Sequence, residues 1–208
     1  MFYNSCMASK VKMRRSTLFS AIISLLSFIY KAGLGIYTMS LVMIIASIST
    51  LCVFICKIIF VKNVTASRES KKKAYIAMAI TAFIYSLIFV LFAVLKVNNI
   101  DISRTNNYQG WIELLFIGFL LLMFILSLIN LKGALEKTDI MVIGLKEITF
   151  LSALTDLVII EQFISRIIQK YYELPIMNTV DAYVPLGVGA VLLIIPVIMF
   201  IRSIRYKA

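Results

Sequence analysis

Six apolar runs, each bounded by charged or turn-forming residues, leave this chain few folds to choose from. They cover residues 16–31, 36–61, 74–95, 111–131, 140–165 and 182–201. A hydrocarbon layer about 30 Å thick is crossed by roughly 20 helical residues, so the runs have the length of bilayer spans. Lipid offers no water to backbone N–H and C=O groups, and a helix satisfies them within itself. The expected fold is therefore all-α, a polytopic transmembrane helix bundle of about six spans forming one domain over residues 1–208. Composition points the same way: 62% of the residues are hydrophobic, against roughly 45–50% in an ordinary soluble domain, and short loops leave no room for a soluble domain.

The first two runs are separated only by Ala32, Gly33, Leu34 and Gly35. As one helix, residues 16–61 would extend about 69 Å at 1.5 Å per residue, twice the hydrocarbon thickness. A hairpin turning at residues 32–35 is predicted instead.

Lysine and arginine beside the spans orient them, because such residues are retained on the cytoplasmic side. One side carries fourteen: Lys10, Lys12, Arg14 and Arg15, then Lys62, Arg68, Lys71, Lys72 and Lys73, then Lys132 and Lys137, and finally Arg202, Arg205 and Lys207. The other carries five: Lys31, Lys96, Arg104, Arg166 and Lys170. This bias predicts a multi-pass protein of the cell membrane with both termini in the cytoplasm, and richness in Lys, Ile and Asn suggests a bacterial source. The net charge of +11 is read as a topology signal rather than a nucleic-acid footprint, since the basic residues flank apolar runs. The expected partner is thus the lipid bilayer, with no nucleic acid. A basic segment, a short apolar run and Gly33-Leu34-Gly35 also resemble a cleavable leader, which would leave five spans. The polar stretch 96–110 is expected to be a solvated loop, and Pro175 is expected to stop the fifth helix.

Several chemistries lose their support. There is no histidine, hence no Ser-His-Asp triad and no imidazole metal ligand. The glycines form neither a phosphate loop nor a G-x-S-x-G elbow. Cys6, Cys52 and Cys56 make no disulfide framework, and the last two, four apart, are read as small packing residues. No enzyme activity, cofactor or metal is expected.

Functional candidates are the polar residues inside spans, because a charge at a helix centre costs about 2.5–3.5 kcal/mol on insertion scales. In the first span Ser16, Ser20, Ser24 and Ser27, followed by Lys31, keep helical register, which predicts a stripe facing other helices. The third span offers a small face of Tyr75, Ala79, Ala82 and Ser86. The fifth holds Lys146, Glu147, Asp156, Glu161 and Gln162. At 100° per residue, Glu147 and Glu161 lie within roughly 40° of each other and Asp156 about 180° away, so this helix needs neighbours on both sides. Depth suggests that Lys57 pairs with Glu147, with Lys146 competing, and that Lys31 pairs with Glu161 or Glu113. Asp156 is left near the midplane without a base at its level, a candidate proton or cation site whose oxygens would come from Ser20, Ser24, Ser47 and Thr50. In the last span Pro196 frees the carbonyl of Leu192 and should kink the helix.

The reading that joins these residues is a transporter of a small solute or ion, or the membrane subunit of one, with a polar site between helices near the midplane that includes Asp156 and Glu147. The alternative is a non-catalytic membrane accessory, such as an immunity or regulatory protein, that binds another membrane protein.

Overall fold

The computed structural model describes residues 2–37, 40–98, 110–135, 139–172 and 176–206, with side chains for all of these but 2–12, 110–116, 166, 170–172 and 176–178. Every element among them is a helix: α1 (Phe2–Tyr37), α2 (Leu41–Asn63), α3 (Arg68–Val97), α4 (Gly110–Leu135), α5 (Ile140–Tyr172) and α6 (Ile176–Arg205). Of the loop expected over 96–110, Lys96 and Val97 belong instead to α3 and Gly110 to α4; residues 99–109, the side chain of Glu113 and the stop at Pro175 lie outside the described residues. Five of the helices, all but α5, contain segments long and apolar enough to cross a bilayer.

The bundle is apolar on its outside. Phe19, Leu26, Leu91, Ile129 and Ile204 are each more than 60% exposed, whereas Ser49, Ser86, Thr155 and Glu147 are buried. Contiguous apolar surface on this scale is rare on soluble monomers and is what a lipid solvent requires. The arrangement fits an integral membrane protein.

α5 is the axis of the assembly, packing against α2, α3, α4 and α6. Its two polar faces need this enclosure. α3 and α6 form a second close pair, where a Cβ on Gly189 would stand 3.1 Å from Val90 Cγ2. Among the described residues the backbone of α1 approaches that of α2 alone, and the Lys31 side chain reaches across to α5.

The first hairpin turns later than its glycines suggest. α1 continues through Gly33 and Gly35 to Tyr37, and Ser40 caps α2 by accepting a hydrogen bond from the Met43 amide at 3.5 Å. Gly35 is a contact point rather than a turn: a Cβ there would stand 2.9 Å from Ile44 Cγ1 and 3.0 Å from the Ile44 nitrogen. The glycine lets the two backbones approach, a common use of small residues between membrane helices. Pro196 lies inside α6, and α3 supplies a donor for the carbonyl it frees. The hydroxyl of Ser86 lies 2.9 Å from the Leu192 carbonyl, which the proline deprives of its helical donor.

At the basic end of the bundle, where α2 and α6 finish, surface groups tie the helices together. Lys71 reaches Asp139 at 2.6 Å, and Asp139 also accepts from the Met141 amide at 3.0 Å, capping α5. Arg68 sits 5.0 Å above the ring of Tyr206.

Candidate functional site

A cavity of about 320 Å³ lies between α1 and α4, with α2 and α5 as its floor. This is within the roughly 300–1,000 Å³ of small-molecule sites. The polar side chains arise from registers legible in each helix. Ser20, Ser24, Ser27 and Lys31 descend one face of α1, Thr50 and Lys57 lie seven apart on α2, and Thr149, Ser152 and Asp156 follow on α5. α4 adds Ser127, and Ile23, Val53 and Met123 supply apolar rim and wall. Ile23 and Met123 are about half exposed, so the cavity opens on the flank of the bundle between α1 and α4.

Lys31 pairs with Asp156 at 2.7 Å, with both side chains largely buried, at 9% and 13% exposure. This corrects the expected partners of both residues. Lys31 does not pair with Glu161, and the position at Asp156 expected to hold a proton or a bound cation is taken by the protein's own ammonium. The cause is the later hairpin turn. α1 runs six residues past Lys31, about 9 Å, which lowers the lysine into the bundle to the level of Asp156.

Lys57 does not pair with Glu147 either. Its ammonium donates to Ser20 Oγ at 2.8 Å, Ser24 Oγ at 2.6 Å and the Ser20 carbonyl at 3.1 Å. All three acceptors are neutral. Among the described residues no carboxylate forms an ion pair with Lys57, and Lys146 is close enough to add to the positive field around it. Lys146 itself contacts Asn130 at 3.5 Å.

Glu147 belongs to a separate buried cluster on the opposite side of α5. It accepts from Arg202 and, at 3.0 Å, from Tyr75 Oη. Tyr75 in turn lies over Gly144, where a Cβ would meet its Cε2 at 2.6 Å. Arg202, counted above as a topology charge, is thus an internal partner. Glu161 stands at the other end of α5 beside Lys96 and Asp181, which face each other at 3.4 Å. Ser47 bonds its own helix at the Ile44 carbonyl, 2.7 Å away, and does not line the cavity.

Of the nine site residues named from the sequence, the cavity therefore gathers Asp156, Lys57, Lys31, Ser20, Ser24 and Thr50, and leaves out Glu147, Glu161 and Ser47. It also gathers Ser27, already noted in the α1 stripe, and three residues not singled out, Ser127, Thr149 and Ser152. Of these, Ser152 has a cross-helix partner, Ser49 at 3.1 Å. Single hydroxyls in apolar runs carry no depth or pairing signal of their own, which is why these three escape notice. No family profile, curated protein or solved structure matches this chain.

Proposed function

We propose that this protein is a small-solute transporter, or the membrane subunit of one, and that its substrate passes through the cavity between α1, α2, α4 and α5. The observation that carries this reading is the cavity itself: a hydroxyl-lined space containing a buried ion pair and a further lysine, inside a bundle whose exterior is apolar. Each buried ion costs free energy in such surroundings, and Lys31, Asp156 and Lys57 line a cavity rather than a closed helix interface. In this reading the basic end lies in the cytoplasm, and Lys31–Asp156 forms the barrier between the cavity and the far side.

The test is solute counterflow into proteoliposomes, using a labelled panel of amino acids, mono- and dicarboxylates, sugars and nucleosides. The wild-type protein is expected to accumulate at least one of them above protein-free vesicles. Asp156→Asn should reduce that flux by about tenfold or more, as expected for loss of a positioned charge, while the exposed Glu69→Gln leaves it unchanged. Protein-free levels for the whole panel, or full flux in folded Asp156→Asn, would overturn the proposal and favour the accessory reading.

A further inference from the structure

The charges in the cavity do not balance. Lys31 and Asp156 neutralise each other at 2.7 Å, and among the described residues the hydrogen-bond partners of Lys57 are neutral oxygens. Among the titratable residues lining the space, two are cationic and one anionic. Hydrogen bonds from hydroxyls and a carbonyl satisfy the ammonium's donors without cancelling its charge. In a low-dielectric setting an uncompensated ion attracts a counter-ion strongly.

A second observation is independent of charge. Ser127, on the α4 side of the same cavity, is 94% buried by its 6% exposure, and its Oγ has no hydrogen-bond partner among the described residues. Buried hydroxyls are normally satisfied. One without a partner on a residue that lines a cavity is a donor that a bound group can satisfy.

We infer that the cavity binds an anionic group, a carboxylate or phosphate, with Lys57 as its counter-charge and the hydroxyls of Ser20 and Ser127 able to donate to its oxygens, the Ser24 proton being given to the Ser20 carbonyl at 3.1 Å. The inference rests on the transport reading and sharpens it: the substrate class is a small organic or inorganic anion, or an amphiphile with an anionic head. Lys57 both neutralises the ligand and positions the two α1 serines through its present bonds to them. The flank opening beside Ile23 and Met123 admits either source, a solute from water or a headgroup from the bilayer.

The test uses a cysteine at Ser27, on the cavity wall, in full-length protein whose Cys6, Cys52 and Cys56 are replaced by alanine. Its reaction rates with a negatively charged sulfonatoethyl and a positively charged trimethylammonioethyl methanethiosulfonate are compared with those of 2-mercaptoethanol. The expected result is a preference for the anionic reagent of about tenfold or more over the free thiol, the scale on which charged clefts concentrate counter-ions. Lys57→Gln should abolish that preference and Lys57→Arg should retain it. Should Lys57→Gln not fold, protection in the unaltered lysine background decides. Succinate or inorganic phosphate in detergent, or phosphatidylglycerol in nanodiscs, is expected to slow labelling, and the one that does so identifies the source as soluble or lipid. Protection by none of these, or by choline alone, overturns the inference. A thiol reactive toward both reagents but preferring the cationic one defeats the anion assignment while leaving a water-filled transport cavity in place. A thiol reactive toward neither defeats both.

Discussion

Lys31 and Lys57 share one cavity and differ in what their neighbours do with the charge. Lys31 is matched by Asp156 within the protein, and Lys57 is held by serine oxygens. Removing one member of a buried pair strands the other, which costs about 3–5 kcal/mol in fully buried soluble examples, and the open flank of this cavity reduces that figure. Asp156→Asn is expected to lower unfolding free energy by about 2 kcal/mol. The double variant Lys31→Met/Asp156→Leu should regain most of the loss. A denaturant titration in mixed micelles, arranged as a double-mutant cycle, measures both, and additive losses would show that the two residues are not coupled. The residue types in the cavity were legible from the sequence because ions and serine stripes are conspicuous in apolar runs. Their partners were not, since an error of one or two helical turns in depth exchanges one acid for another.

At the level of helices, the clearest divergence from sequence expectation is the first hairpin. Gly33 and Gly35 look alike in the sequence, and both suggest a turn. Yet Gly33 has open space around its Cα and Gly35 is pressed against Ile44. Gly35→Ala should therefore destabilise the protein by about 1–3 kcal/mol, the usual cost of overpacking, whereas Gly33→Ala should be neutral or slightly stabilising through better helix propensity. Thermal unfolding in detergent distinguishes them, and equal effects would contradict the contact at Gly35. Hydropathy reveals that helices exist, but the use of a glycine depends on what lies opposite, and local composition is silent about that. The enclosure of α5 was more accessible. Polar groups on opposite faces of one helix can be satisfied only from two directions, and α5 has Asp156 toward α1 and Glu147 toward α3 and α6.

For the molecule as a whole, the all-α bundle was readable from run lengths alone, because bilayer thickness and backbone hydrogen bonding leave so few alternatives. The asymmetry of basic residues predicts an orientation, and that prediction is directly measurable. In the cysteine-free background, Thr65→Cys in the α2–α3 turn should react with a membrane-impermeant maleimide only after the cells are opened, and Asn98→Cys at the end of α3 should react in intact cells. The reverse pattern would invert the topology. The Glu147–Arg202 pair has a consequence for how the protein is made. Its members are 55 residues apart, so a ribosome delivers the acid to the translocon well before the guanidinium exists. The fifth segment therefore cannot settle into lipid by itself during synthesis. It must linger at the lateral gate until the sixth arrives, and a chain truncated just after Tyr172 should be released poorly and cleared by quality-control proteases.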